Sequence, residues 1–170
     1  MNFTLRAATP GDAMAIAQAH LESWKTTYPG IIPQAYIDAL NVENGLRNWR
    51  ERLEENSRHI FVAEDDSGIF GFICGGPIRE PVPGYDGELD AIYLLQRHQR
   101  HGAGRALVLM LAAALRAQGL TSMIVWALEA NSAVQFYQRL GAVPVISRTI
   151  NIGGADLPDL ALGWSTLDFQ

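Results

Sequence analysis

The stretch Glu88-Leu-Asp-Ala-Ile-Tyr-Leu-Leu-Gln-Arg-His-Gln-Arg-His-Gly102-Ala-Gly104-Arg105 decides how this chain is read. Glu88–Leu94 has the make-up of a strand, a polar turn follows, and two glycines open a helix over 102–117. That arrangement is an anion site in physical terms. A helix N-terminus offers unpaired N–H groups and the positive end of the helix dipole. Glycine lets an oxygen-rich ligand approach the backbone. Arg97, His98, Arg100, His101 and Arg105 add positive charge in a chain whose net charge is −5. A dinucleotide fingerprint needs Gly-x-Gly-x-x-Gly, and position 107 is Leu. A triphosphate loop needs Gly-Lys-Ser/Thr, which is absent. What remains is a specific phosphate cradle or a glycine-containing turn with solvated charges.

The rest of the chain falls into place around that turn. Phe3–Ala8 reads as a strand. Thr9-Pro10-Gly11-Asp12 reads as a helix start, with Thr9 as N-cap. Ala13, Ile16, Ala17 and Trp24 follow at helical spacing, and Tyr28-Pro29-Gly30 ends the helix. Pro33–Leu40 and Val42–Glu55 are helical pieces. His59–Glu64 and Ile69–Cys74 form a hairpin across Asp65-Asp66-Ser67-Gly68. Gly75 to Gly87, rich in glycine and proline, reads as a loop. The helix over 102–117 is apolar nearly all round between its arginines and is expected to be buried, with Gly119 as its stop. Ser122–Leu128 is a strand, and Asn131–Leu140 a helix with Asn131 as N-cap and Gly141 past its end. Val143–Ile150 and Leu157–Trp164 close the chain. The order β-α-α-α-β-β-β-α-β-α-β-β describes a mixed α/β sheet with helices packed on it.

Length and composition narrow the class. A chain of 170 residues with 48% hydrophobic and 18% charged residues builds one domain, 1–170, with a sizeable core. Thirteen Lys+Arg against eighteen Asp+Glu disfavour a nucleic-acid partner, which wants a basic face. The single cysteine, Cys74, excludes an intrachain disulfide, and the four histidines lack ligand spacing, so no metal is expected. The longest apolar run, Ala106–Leu115, is too short to span a bilayer, which takes about 20 residues. The N-terminal residues lack an apolar signal core, so a cytoplasmic location is expected.

Gln99-Arg-His-Gly102-Ala-Gly104 fits the pattern Gln/Arg-x-x-Gly-x-Gly/Ala. Set after a Glu-Leu-x-x-Ile-x-Leu strand and before an apolar helix, it resembles the acetyl-coenzyme A pyrophosphate turn of the GCN5-related N-acetyltransferases (the GNAT superfamily). A second segment, Trp126-Ala-Leu-Glu-Ala-Asn131-Ser-Ala-Val-Gln-Phe136-Tyr137-Gln-Arg-Leu140-Gly141-Ala142, resembles the family's Asn-x-x-Ala-x-x-Phe-Tyr-x-x-x-Gly-Phe. It departs in having Ala142 where the family often has Phe. The resemblance covers the whole chain and is sharpest over 88–141. It implies an acyl-CoA N-acyltransferase domain with a central mixed sheet of about seven strands flanked by helices. Acetyl-CoA is then the co-substrate. Gln99, Arg100, His101, Gly102, Ala103, Gly104 and Arg105 hold its phosphates, and the backbone of Ile92, Tyr93 and Leu94 pairs with its pantetheine arm. Asn131 contacts that arm, and Tyr137 is the general acid at the thioester sulfur. Spacing alone leaves Tyr137 equally a core aromatic with one satisfied hydroxyl.

The reaction so implied needs a base. An alkylamine with a pKa of about 10 arrives as ammonium, so a proton must leave before the amine attacks. Glu88 and Asp90, two apart on one strand, share a side, and mutual repulsion would lift one pKa towards neutrality. In several family members the base or its water partner falls at one of these positions, with Glu88 the first choice and Asp90 the second. Both also read as strand-capping acids or as a site for a cationic substrate. Family specificity lies in the first helices and the loops over the sheet. Here those are Glu22, Trp24, Tyr28 and the stretch Pro29–Tyr36, together with the loop Pro77–Gly87. Asp86, Glu88 and Asp90 near the mouth favour a small cationic amine. The expected function is acetyl transfer to a primary amine by direct attack in a ternary complex. A protein or peptide amine, or a non-catalytic acyl-CoA-binding regulator, are the alternatives. A homodimer through the C-terminal strands is also implied by the resemblance.

Overall fold

The computed structural model describes residues 2–169. Its elements are β1 (Thr4–Ala7), α1 (Ala13–Thr27), α2 (Gln34–Asp38), α3 (Val42–Glu55), β2 (His59–Asp65), β3 (Gly68–Val82), β4 (Tyr85–Leu94), α4 (Ala103–Ala117), β5 (Met123–Leu128), α5 (Ala133–Arg139), β6 (Val143–Ile152) and β7 (Ala155–Trp164). Single 3-10 turns lie at Pro10–Asp12 and Gln96–His98. The strands form one seven-stranded mixed sheet in the order β1-β2-β3-β4-β5-β7-β6. Among the described strands, β4 and β5 are the only parallel neighbours.

Local chemistry sets the ends of the elements. Asp12 accepts the Thr9 N–H at 2.7 Å and an Arg6 N–H at 2.7 Å, which fixes the approach to α1. Asn41 caps α3 by accepting the Asn44 N–H at 2.9 Å. The expected cap at Asn131 is shifted: α5 begins two residues later, yet the Asn131 side chain still accepts the Ala133 N–H at 2.9 Å.

The segment 75–87 is not the loop its composition announces. β3 runs on to Val82, and β4 begins at Tyr85, so the pair is one long hairpin. Glycine serves close approach there. A Cβ on Gly75 would lie 2.6 Å from the Glu88 carbonyl oxygen and 2.7 Å from Leu111 Cδ2. The prolines fall where the β3–β4 register is interrupted, between Pro77 and Val82, and at the tip.

Two apolar layers cover the sheet. On one face α4 packs Leu107, Leu111 and Leu115 against Ile73, Leu89, Met123, Val125 and Leu162, all almost fully buried. Burying each such leucine contributes about 1.5–3 kcal/mol. Contrary to the near-uniform burial expected of α4, its other side carries exposed Arg105, Ala113 and Arg116. On the opposite face α1 and α3 pack Ile16, Ala17 and Trp49 on Val62, Phe72 and Cys74.

Gly75→Ala is expected to destabilise the fold by about 1–3 kcal/mol, since a methyl must displace the Glu88 backbone or Leu111. Urea denaturation reads this, and an unaltered midpoint would contradict the close approach of β3 to β4 and α4.

Candidate functional site

β4 and β5 run side by side only over Gly87–Leu89 and Met123–Val125. Beyond that point β4 keeps its β3 partner to Leu94, and β5 keeps its β7 partner to Leu128. The two strands therefore part, and the β5-facing backbone of residues 90–94 has no neighbour among the described strands. The cause is local. Cys74 pairs with Ala91 and Gly75 with Leu89, so Asp90 is an extra residue, a β-bulge in β4. A bulge bends its strand and increases the twist. The crevice lies at the carboxyl ends of the parallel pair, where open sheets bind ligands.

The turn after β4 leads straight from this crevice to α4. Gln99 Nε2 donates to the Leu94 carbonyl at 3.0 Å, tying the turn to the strand end. Gly102 adopts φ +90°, with open space where a Cβ would stand. Arg100 takes φ +64°, a left-handed conformation seldom used by an arginine and often found at binding turns. The first α4 hydrogen bond here runs from Ala106 N–H to Gly102 O at 3.0 Å. The N–H groups of Ala103, Gly104 and Arg105 precede it, as in any helix start. A Cβ on Gly104 would press on Phe136 at 3.3 Å, so α4 and α5 meet here. The unpaired strand backbone and the uncapped helix start fit an extended acyl arm ending in a pyrophosphate.

His98, counted with the basic turn, departs from it. It is buried, donates its Nε2–H to Asp65 Oδ2 at 3.0 Å, and stacks on Phe70 with ring centroids 4.2 Å apart. Arg97 lies 3.9 Å from Glu22, both side chains exposed. Arg100, His101 and Arg105 are exposed on the turn and helix start. A cavity of about 350 Å³ lies beside Arg105, bordered also by Gly141 and Trp164.

Tyr137 is 5% exposed and packs edge-on against Trp164 at 6.0 Å. Burial pushes its hydroxyl above the ordinary phenol value, and Tyr28 adds to the push. Tyr28 and Tyr93 share a hydrogen bond between hydroxyls at 3.0 Å, and Asn131 Nδ2 reaches the Tyr28 hydroxyl at 3.5 Å. Tyr28, Tyr93 and Asn131 thus belong to one polar cluster beside the crevice, and Ile92 and Leu94 pack into the core on the α4 face.

Glu88 and Asp90 do share one side, where Arg79 contacts both. Arg79 donates its backbone N–H and its Nε to Glu88 Oε2, each at 3.1 Å, and its Nε lies 3.4 Å from Asp90 Oδ1. Arg58 grips Asp90 with two nitrogens, Nε at 2.7 Å from Oδ2 and Nη2 on Oδ1. Burial raises the Glu88 carboxyl, but its bonds to Arg79 outweigh that, and the net shift is downward. The lift expected from carboxylate repulsion is absent at Glu88, because the guanidinium groups separate the two acids. Asp86 lies at the far end of β4 and accepts the Thr121 and Ser122 N–H groups at 2.9 Å each. It caps β5 instead of lining a mouth.

On the α1–α3 side of β4 lies a cavity of about 440 Å³, lined by His20, Trp24, Tyr36, Arg52, Asp90 and Tyr93 among others. Of the residues expected to meet the acceptor, Trp24 lines it, Tyr28 sits behind Tyr93, and Glu22 turns outward to Arg97. Sequence reasoning missed Arg58, Arg79, His20 and Arg52. Arg79 falls in the stretch read as loop. His20 was legible, since it stands four residues before Trp24 on the same helix side.

The acetyltransferase (GNAT) family model matches residues 17–142. An uncharacterized N-acetyltransferase of Bacillus subtilis (strain 168), YuaI, is 43% identical over 165 residues, covering 96% of this chain and 94% of its own. Among solved structures, yncA of Salmonella typhimurium with acetyl-CoA superposes with a TM-score of 0.73 at 21% identity, covering 100% of this chain and 96% of that one. PaiA N-acetyltransferase of Thermoplasma acidophilum, in complex with coenzyme A, gives 0.68 at 21% identity, covering 94% and 98%. The parted strands, the glycine turn and these matches together make the chain a member of the GNAT family of N-acetyltransferases, with acetyl-CoA the donor that membership brings.

Proposed function

We propose that this chain, acting as one unit over residues 1–170, acetylates the primary amine of a small molecule by direct attack in a ternary complex. One observation carries the reading: residues 90–94 of β4 are a shared wall. Their unpaired backbone faces the crevice, while Asp90, Ala91 and Tyr93 line the 440 Å³ cavity on the other side. Donor and acceptor then meet across a single strand, and holding them there can lower the barrier by about 7–11 kcal/mol in well-oriented systems. The cavity volume is in the range of small-ligand sites. The β6–β7 hairpin also leans on α2, with Gly153 against Tyr36.

Acetyl-CoA supplies an acetyl group activated as a thioester. The turn 99–105 holds its phosphates through backbone N–H groups and the α4 dipole, and the free N–H groups of β4 are donors for the arm and for a developing oxyanion. Asp90, the carboxylate that lines the cavity, takes a proton from the incoming ammonium through water, and Glu88 behind it fixes Arg79. A new N–C bond forms as the C–S bond breaks. Of the two protons the ammonium gives up, one reaches solvent by way of Asp90, and one ends on the thiolate by way of Tyr137. Because its pKa is raised, Tyr137 stays protonated at neutral pH and relays the proton only in concert with its replacement. A homodimer would use β6, an edge strand that exposes Val143 and Ile146.

Tyr137→Phe is expected to lower kcat by about 100-fold or more with the affinity for acetyl-CoA nearly unaltered. Steady-state rates across pH and calorimetry check this, and unchanged turnover at every pH would remove Tyr137 from the proton path. Gly104→Glu is expected to weaken acetyl-CoA binding by about 100-fold or more, through bulk against Phe136 and a negative charge at the helix start. Unaltered affinity in calorimetry, with circular dichroism confirming the fold, would move the phosphate site elsewhere.

A further inference from the structure

The charges around the acceptor cavity do not match a simple cationic amine. The one carboxylate that lines it is already neutralised: Asp90 lies in the grip of Arg58 and within 3.4 Å of Arg79, and Glu88 behind it is held by Arg79. Two acids thus face two guanidinium groups. Arg52 is a third guanidinium, and it lines the same cavity from α3. Among the described residues it has no salt-bridge partner, and its guanidinium carbon stands 5.4 Å from the centroid of the Trp49 ring. The surplus charge of the cavity is therefore positive and sits on the wall opposite β4.

The neutral groups beside Arg52 can donate as well. Asn48 lies one α3 turn before Arg52 and lines the cavity with it. Trp49 Nε1 lies 3.2 Å from His20 Nδ1. An indole N–H only donates, so His20 Nδ1 carries the lone pair and Nε2 carries the proton. Burial, with Arg52 adding to it, lowers the His20 pKa to about 4, so the ring is neutral at physiological pH. His20 is therefore a fixed N–H donor on the cavity wall and neither a base nor a second cation.

We propose that the acceptor is a small amine carrying a carboxylate, an amino acid or close relative, whose carboxylate is held by the Arg52 guanidinium with Asn48 beside it while its amine faces Asp90 and the β4 crevice. This rests on the reading that the amine enters by this cavity. A planar guanidinium matches a carboxylate with two parallel hydrogen bonds, and the cavity spans the distance from α3 to β4. Arg52 does not touch the reacting atoms; it sets specificity.

The test compares kcat/KM of the wild type, Arg52→Met and Arg52→Lys on matched acceptors. These are L-amino acids, their methyl esters, the corresponding decarboxylated amines, phosphoethanolamine and spermidine. The wild type is expected to favour the free amino acid over its ester by about tenfold or more. Arg52→Met is expected to collapse that ratio chiefly by raising KM, and Arg52→Lys to restore part of it. Turnover of the ester by the same preparation reports on folding. Equal rates on acid and ester, preference for spermidine or phosphoethanolamine, or an equal loss on acid and ester in Arg52→Met would overturn the carboxylate assignment while leaving the amine acetyltransferase reading intact. Binding of acetyl-CoA with no amine acetylated would overturn both.

Discussion

The extra residue at Asp90 is the constraint on which the rest of the site depends. Before it, β4 and β5 are parallel neighbours over three residues each; after it they part, and each keeps only its outer partner. Backbone groups left without a partner in a folded sheet carry a cost unless water or a ligand satisfies them. The parted strands are thus a preformed place for an extended molecule with amide groups of its own. Everything else is arranged around that gap. α4 starts at its end, α5 and the turn before it set Tyr137 and Asn131 on its β5 side, and α1 and α3 build a cavity on the other face of the same strand.

The electrostatics are set at the same place. Strand alternation puts Asp90 and Glu88 on one side, where a single arginine, Arg79, contacts both, and Arg58 completes a group of two acids and two bases. Removing one member of such a buried pair leaves an unpaired charge, which is more damaging than the pair is stabilising. Acids held this way do not act as free attractors for a cation. Among the described residues Arg52, on the α3 wall of the same cavity, has no salt-bridge partner. The net charge of −5 says nothing about this, because charge is distributed unevenly. The turn before α4 and the α3 wall of the 440 Å³ cavity both carry basic side chains in an acidic protein.

Much of the fold was legible because its signals are local. Thr9 and Asp12, Asn41, Gly102 and Gly141 mark helix ends by chemistry that acts over a few residues, and the glycine turn before α4 announces an anion site by itself. The hairpin over 75–87 was illegible for the opposite reason. Glycine and proline there look like a loop, and only the approach of Glu88 and Leu111 to Gly75 shows why glycine is required within a strand. The ion pairs were equally hidden. Arg58 and Asp90 are 32 residues apart, so no spacing rule links them. His98 shows the same limit: its neighbours in sequence are basic and exposed, while its partners, Asp65 and Phe70, come from the β2–β3 hairpin.

The central claim is that the gap between β4 and β5, continued by the turn before α4, is where the acyl donor lies. Amide hydrogen exchange with and without acetyl-CoA tests it most directly. The account predicts that added acetyl-CoA slows exchange at residues 90–94 and 101–105 above all, with the β1–β2 edge unaffected. Unchanged exchange at both segments under saturating acetyl-CoA, with protection appearing elsewhere, would contradict it.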